Sequence, residues 1–174
     1  MKEMLQGPIL VFHLVKMIKE KYPNKQVGKT VIQKLMYLFE TRSHEDFDYT
    51  MYHYGPYSSK VGGYINRAEA LGLIDVKWIP KKGYFIEPNK KGMDKLPIQI
   101  EEEKLRQLET VIDEFGGFTA NELSIISTTI YVKNNFGISD PQKIIETVLS
   151  LKPNNQMEWI KQLLERAGIF NEPN

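Results

Sequence analysis

Side chains that could hold a metal or perform hydrolysis gather in one short segment, which contains His44, Glu45, Asp46 and Asp48. No second histidine stands at helical or hairpin spacing from this group, as a zinc site would need. The tripeptide "GKT" at 28–30 resembles the end of a phosphate loop but lacks the upstream glycine, and no G-x-S-x-G occurs. The pattern favours a solvated loop at 44–48, with no metal, no cofactor and no enzymatic activity.

A second segment with unusual chemistry is "MYHYGPYSSK" at 51–60. Three tyrosines surround a Gly55-Pro56 pair, which typically marks a turn. A tyrosine buried in a turn normally needs a partner for its hydroxyl group. We expect Tyr54 and Pro56 to fix the turn into a following helix, with Tyr57 at its start. This interpretation favours a structural role for 54–56 over a purely functional one.

Polar side chains on the preceding helix could complete this turn. Gln33 and Lys34 lie one helical turn before Tyr37, which we expect to pack near the turn. Gln33 and Lys34 could then meet the turn or a ligand. The residues that follow the turn, Ser58-Ser59-Lys60, are better candidates for contact with a partner.

Composition limits the class of protein. The 174 residues include 41% hydrophobic and 26% charged residues, which suits one folded domain or two small lobes. The longest uncharged apolar run, 9–15, is far shorter than the roughly 20 residues of a membrane span. The absence of cysteine excludes disulfides. The first residues, "MKEMLQGPIL", show no signal-peptide pattern, so we expect a cytoplasmic protein with no membrane contact.

Periodicity in the first half predicts three helices and a β-hairpin. The predicted helices cover 8–22, 29–42 and 57–71, the hairpin strands cover 73–79 and 84–87, and 47–54 is a short strand or extended loop. Pro8 suits the first turn of a helix. Gln33 and Lys34 fall away from the apolar face of the second helix. In the third helix we expect Val61, Ile65 and Ala68 to face the core.

Three helices followed by a hairpin is the order of elements in a winged helix-turn-helix. In that fold the third helix enters the DNA major groove and the hairpin tip, or wing, contacts phosphates. Residues of suitable chemistry occupy these places, and the candidate DNA-binding residues are Ser58, Ser59, Lys60, Asn66, Arg67, Lys81 and Lys82. The helix carries only two cations, with Glu69 against them, and winged helices also serve as protein scaffolds. DNA binding and protein binding both stay open.

The second half is predicted to be helical. Thr119 with Glu122, and Asn155 with Glu158, have the pattern of helix N-caps, and Asp140-Pro141 starts another helix. Residues 88–99 are the best linker candidate. The chain then divides into a winged-helix-like lobe at 1–99 and a helical lobe at 100–174, which we expect to share one core. The first lobe has 16 Lys and Arg against 10 Asp and Glu, and the second has 7 against 12, which suggests two surfaces with different partners.

Two motifs carry a resemblance to a known family. "IQKLMYLFE" followed by "YHYGPYSSKVGGYINRAEALGLI" resembles the Panacea-type domain, which includes antitoxin-associated and YwgA-like proteins. "ELSIISTTIYV" and the closing "LKPNNQMEWIKQLLERAGI" are similar to later parts of its pattern, so the resemblance spans about 5–170. It implies a mostly helical fold of winged-helix character, a regulatory role, often as the neutralising partner of a toxin, and no enzymatic activity.

The sequence as a whole predicts a mainly α protein of the α+β type, in which a winged helix-turn-helix with a small β-hairpin packs on a C-terminal helical bundle. We expect a non-enzymatic regulatory protein that binds DNA or neutralises a toxin-like partner. The alternative is a protein–protein adaptor that makes no contact with nucleic acid. A homodimer is a further expected arrangement.

Overall fold

The structure is a computed structural model that describes residues 2–96 and 99–171. Pro97 and Ile98, which belong to the predicted linker, and the last three residues of the predicted helical lobe lie outside the described residues. In chain order the elements are α1 (Lys2–Lys21), α2 (Lys29–Thr41), β1 (Thr50–Tyr52), β2 (Gly55–Tyr57), α3 (Ser59–Ala70), β3 (Ile74–Ile79), β4 (Gly83–Pro88), α4 (Lys90–Met93), α5 (Glu102–Phe115), α6 (Ala120–Asn135), α7 (Pro141–Leu151) and α8 (Met157–Arg166). The described residues are therefore mainly helical, with two antiparallel hairpins.

Helix α2 is buried almost all the way round. It packs against α3 on one side and against α5 and α6 on the other, so every residue from 31 to 39 is buried. The predicted apolar face is confirmed, because Val31, Leu35 and Leu38 all lie in the core. Gln33 and Lys34, which we expected to lie away from this face, are also buried.

The apolar interior joins both halves of the chain. Its buried residues come from α1, α2 and α3 and also from α5 to α8. Helix α6 is buried along most of its first half, from Leu123 to Thr129, where it meets both α2 and strand β2. Strand β2, at the end of the segment that contains the unusual tyrosines, is thus in contact with two buried helices.

The two hairpins flank α3. Strands β1 and β2 pair with Met51 opposite Pro56, so Gly55 and Pro56 lie in a strand rather than ending one as expected. Strands β3 and β4 pair from Ile74 opposite Pro88 to Ile79 opposite Gly83. The connection between the strands has a positive φ angle at Lys81 (67°), and the first residue of β4, Gly83, has one of 90°.

Helix ends follow the sequence patterns in most places. The capping box of Thr119 and Glu122 is present at α6, and Asp140 caps α7. Two predictions were wrong. Helix α1 begins six residues before Pro8, which lies inside the helix, and α8 is preceded by Gln156, whose side chain makes no cap. Among the described residues, no helix combines the length and apolar character needed to cross a bilayer.

Candidate functional site

Strand β2 and Ser58, which connect the β1–β2 hairpin to α3 where we expected a turn, are tied to α2 by two polar side chains. The Gln33 amide donates from Nε2 to the Ser58 carbonyl at 2.8 Å and accepts at Oε1 from the Ser58 N–H at 3.1 Å. The Lys34 ammonium donates to the Pro56 carbonyl at 2.8 Å. Backbone groups near the end of β2 therefore find partners on α2 that a sheet of only two strands does not supply.

Gly55 lies directly on helix α6. Its φ angle is +99°, and a Cβ atom at this position would stand 2.6 Å from Thr128 Oγ1 and 3.3 Å from the Ser124 carbonyl oxygen. Only glycine combines that backbone conformation with such a close approach. The glycine of the Tyr-Gly-Pro motif is thus explained by packing between β2 and α6.

The tyrosines of the motif do not pack as we expected. Tyr54 has 74% of its surface exposed, so it does not fix the turn by burial. Tyr37 is buried, but its ring lies against Tyr49 at 5.1 Å and Tyr131 at 6.1 Å between centroids. Burial raises the pKa of Tyr37 well above its ordinary value. Pro56, in contrast, is buried in strand β2.

Ser58 begins helix α3 from a fully buried position. Its hydroxyl group accepts at Oγ from the Val61 N–H at 3.0 Å and donates its O–H to the Phe47 carbonyl. This is the arrangement of an N-cap serine. Because the side chain is inaccessible and both its donor and acceptor are used, its position fits helix capping and does not fit the predicted contact with DNA.

The other candidates on α3 form its exposed face. Ser59, Lys60, Asn66 and Arg67 are all exposed, while Val61, Ile65 and Ala68 face the core as predicted. Lys60 Nζ lies 2.9 Å from the Asp48 carboxylate, and this hydrogen bond raises the pKa of Lys60. Lys60 is therefore already neutralised in part, whereas Arg67 makes no ion pair with any described residue.

The tip of the β3–β4 hairpin is fixed against the α1–α2 connection. Gln26 donates from Nε2 to the carbonyls of Lys82 (2.8 Å) and Tyr84 (2.9 Å). The Lys29 ammonium lies 4.2 Å from the centre of the Tyr84 ring, within cation–π distance. The side chains of Lys81 and Lys82 remain exposed.

Lys29 joins the hairpin tip to the exposed face of α3. One depression, of about 630 Å³, is bordered by Lys29, Lys82 and Tyr84 among others. A second, of about 310 Å³, is bordered by Lys29, Ser59 and Asn66 among others. Lys82 of the hairpin and Ser59 and Asn66 of α3 therefore lie on either side of Lys29, while Lys60, Arg67 and Lys81 border neither depression. We call this region the Lys29 surface; it comprises Lys29, the exposed face of α3 and the hairpin tip.

A third cavity lies beside the Lys29 surface, and we call it the tyrosine pocket. It has a volume of about 460 Å³ and is lined by Lys29, Thr30, Gln33, Lys34, Tyr52, Tyr54, Gly55 and Tyr57. Burial, with a smaller contribution from Lys152, lowers the pKa of Lys34 to about 8. Five of the seven residues that the motif singled out, all except Tyr37 and Pro56, line this one cavity.

The sequence did not single out three residues that shape these cavities. Lys29 and Thr30 belong to "GKT", which signals a phosphate loop only with further glycines, and Gln26 precedes the helix without any motif. Their position at the start of α2 was predictable, but their neighbours were not, because Lys82, Tyr84 and Tyr54 come from distant parts of the chain.

A scan against models of known protein families finds no match, and no curated protein matches the sequence. The Panacea-type resemblance accordingly remains a prediction carried by the motifs "IQKLMYLFE" and "YHYGPYSS".

Proposed function

We propose that this protein is a non-enzymatic regulatory binding protein of the Panacea type, in which a winged helix-turn-helix binds duplex DNA. Helix α3 acts as the recognition helix, and the β3–β4 hairpin acts as the wing. The observation that carries the proposal is that Lys29 borders two depressions, one shared with Lys82 of the hairpin tip and the other shared with Ser59 and Asn66 of α3.

Helix α3 has side chains suited to the reading of bases. Asn66 and Arg67 are exposed near the middle and end of the helix, and amide and guanidinium groups are the usual partners of adenine and guanine edges. Gly63 leaves the same helix open, with no heavy atom within 4 Å of the position where a Cβ would stand. A helix with so little bulk can approach the floor of the groove closely.

The phosphate contacts would come from the flanking lysines. Lys81 and Lys82 are exposed at the hairpin tip, and Lys29 lies at the start of α2. Lysine side chains of this kind neutralise phosphates and release counterions, so binding must weaken as salt increases. Ser59 can add a hydrogen bond from its hydroxyl group at the start of α3. Lys60 can add a contact from its ammonium group after release from Asp48.

Anisotropy of a labelled generic DNA duplex, titrated at low and moderate salt, tests this proposal. We expect the affinity to fall steeply with salt, with a slope of log Kobs against log salt of about −3 to −4 if four phosphates are neutralised. The fourfold variant Lys60→Glu, Arg67→Glu, Lys81→Glu and Lys82→Glu should abolish binding.

The matched control reverses four cations of the helical half, with the same change in net charge: Arg106→Glu, Lys133→Glu, Lys143→Glu and Lys161→Glu. It should retain most of the affinity, because these residues lie on α5 to α8. Equal losses in both variants would mean that bulk charge and not the Lys29 surface binds DNA. The absence of wild-type binding at low salt would reject the DNA function.

The exposed aromatic side chains favour a second candidate function, a protein adaptor or toxin-neutralising partner without nucleic-acid contact. Tyr52, Tyr54 and Trp78 have 62%, 74% and 59% of their surface exposed. Aromatic residues are enriched where proteins meet. A pull-down with the wild-type chain as bait would establish this function instead if it captures one partner protein reproducibly. The Tyr52→Ala and Tyr54→Ala variants should lose that partner, and the wild-type chain should show no binding to DNA.

A further inference from the structure

Lys34 is a buried cation for which the described residues supply no counter-charge. Only 3% of its surface is exposed, yet it lines the tyrosine pocket. An ammonium group has three donors, and the single hydrogen bond found for Nζ within the described part of the chain goes to the Pro56 carbonyl. No described carboxylate lies within 4.0 Å of it, and the charged group that influences it is another cation, Lys152.

Anchoring of the turn does not account for this ammonium. Gln33 already ties the turn to α2 through two hydrogen bonds with the Ser58 backbone. A neutral donor at position 34 would satisfy the Pro56 carbonyl without the cost of burying a charge. Buried charges in proteins are ordinarily paired with an opposite charge, so the missing partner points to an anionic ligand.

The cavity above Lys34 has the size and lining of a small-molecule site. Its volume of about 460 Å³ lies in the range of known ligand pockets, roughly 300–1,000 Å³. The rings of Tyr52 and Tyr57 lie 5.8 Å apart between centroids, and Tyr57 and Tyr54 have 42% and 74% of their surface exposed. These rings can cover a flat or apolar group on the ligand.

The charge of the pocket selects the kind of anion. Lys34 is the one buried ammonium among the lining residues, whereas the Lys29 ammonium is held over the Tyr84 ring on the side of the hairpin tip and Lys152 Nζ lies 5.9 Å from the centre of the exposed Tyr54 ring. A carboxylate matches one buried ammonium, whereas a phosphate dianion would carry surplus charge into a largely aromatic cavity.

We propose that the tyrosine pocket binds a small organic monocarboxylate. The ligand's carboxylate accepts hydrogen bonds from Lys34 Nζ, and its aromatic or apolar body lies against Tyr52, Tyr54 and Tyr57. This site goes beyond the proposed DNA function and does not depend on it, because Lys34 and the exposed tyrosines are not among the residues assigned to DNA.

NMR titration of the whole chain with matched acids and amides tests the proposal. The probes are acetate and acetamide, phenylacetate and phenylacetamide, and indole-3-acetate and indole-3-acetamide. We expect an aromatic carboxylate to shift the signals of Tyr52, Tyr54, Tyr57 and Lys34, and to bind at least about tenfold more tightly than its amide, as a charged hydrogen-bonding pair should. Acetate, which has no aromatic or larger apolar group to lie against the tyrosine rings, should bind more weakly than the aromatic carboxylates.

Two variants and one direct measurement complete the test. Lys34→Gln keeps a donor for Pro56 and should abolish the preference for acid over amide, while Lys143→Gln on α7 should leave it intact. In the wild type, a saturating carboxylate should raise the pKa of the Lys34 amine followed by NMR, because an opposite charge stabilises the ammonium.

Three results would overturn the proposal. One is equal binding of acids and amides, and another is a set of shifts confined to other parts of the chain. The third is a response of the pocket only to inorganic phosphate or to an acidic peptide, which would assign the site to a different ligand. DNA binding measured on the same samples stands or falls separately.

Discussion

Lysines and glycines are exposed on one side of helix α2 and buried on the other. Towards the hairpin and α3, the lysines at 29, 60, 81 and 82 reach the surface or its shallow depressions. Towards β2 and α6, Lys34 is almost completely buried. Glycines differ in the same way, because Gly63 on α3 is open to solvent whereas Gly55 on β2 is pressed against α6.

The difference separates two ways in which a cation can bind an anion. Exposed lysines cost little in the free protein and act together on a polyanion, so their effect is diffuse and sensitive to salt. A buried lysine destabilises the free protein until a counter-charge arrives, so it favours one small ligand of matched charge. The first setting suits DNA and the second suits a monocarboxylate.

The largest effect that we expect on stability is that of Gly55→Ala. The substitution meets a positive φ angle and a Cβ position 2.6 Å from Thr128 Oγ1. The backbone term costs roughly 1–2 kcal/mol and the overpacking a further 1–3 kcal/mol, so the free energy of unfolding should fall by about 3 kcal/mol. Urea unfolding followed by circular dichroism measures this change.

Gly72→Ala is the matched control. Gly72 also has a positive φ angle, +72°, but nothing lies within 4 Å of its Cβ position. It should therefore lose only the backbone term, about 1–2 kcal/mol. Equal losses at the two positions would mean that β2 and α6 are not in close contact, and the enclosed side of α2 would lose its main distinction.

The next effect concerns the pH dependence of stability that Lys34 causes. Its pKa is lowered to about 8 in the folded protein from 10.5. Between these values the unfolded chain binds more protons, so the free energy of unfolding rises as pH rises, and below pH 8 the penalty is complete. Relative to Lys34→Met, the wild type should gain about 3 kcal/mol between pH 8 and 10.5.

Tyrosine ionisation acts in the opposite direction near the top of this range. Burial raises the pKa values of Tyr37 and Tyr49, so their ionisation in the unfolded chain lowers stability at high pH. The wild type and the Lys34→Met variant share these tyrosines, so the difference between their free energies of unfolding isolates the effect of Lys34. Chemical unfolding at several pH values supplies the data; a difference that stays constant from pH 8 upward would show that the Lys34 amine is not desolvated.

Patterns within a single helix were predictable from the sequence. The inward positions of α3, Val61, Ile65 and Ala68, repeat at the helical period, and the capping box at Thr119 and Glu122 depends on residues three apart. Such local signals need no knowledge of the rest of the chain. The order of elements in the first half followed from the same signals, apart from the extra strand of the β1–β2 hairpin and the short helix α4, which lies in the predicted linker.

Features created by distant contacts were not predictable in this way. Periodicity identified one apolar stripe on α2 but not the covering of its other sides by α6, which begins 91 residues after α2 starts. The burial of Gln33 and Lys34, and with it the tyrosine pocket, depends on that contact. Tyrosine occurs both in protein cores and at surfaces, so its type alone could not predict that Tyr54 is exposed and Tyr37 is buried.

The smallest effect, and the one that tests the open side of α2 most directly, is that of Gly63→Ala. A methyl group there meets no neighbour, so the substitution should raise the free energy of unfolding by about 1 kcal/mol through helix propensity alone. Gly62→Ala is the control, since its Cβ would stand 3.0 Å from the Tyr57 hydroxyl and should give a smaller gain.

The two consequences of Gly63→Ala have opposite signs if α3 enters a groove. Stability measured by urea unfolding should increase, while affinity for duplex DNA measured by anisotropy should decrease, because the added methyl group occupies the space between helix and bases. A variant that is more stable and binds DNA as tightly as the wild type would show that this face of α3 does not approach the groove. The cations of the Lys29 surface would then hold DNA through its phosphates alone, without reading its sequence.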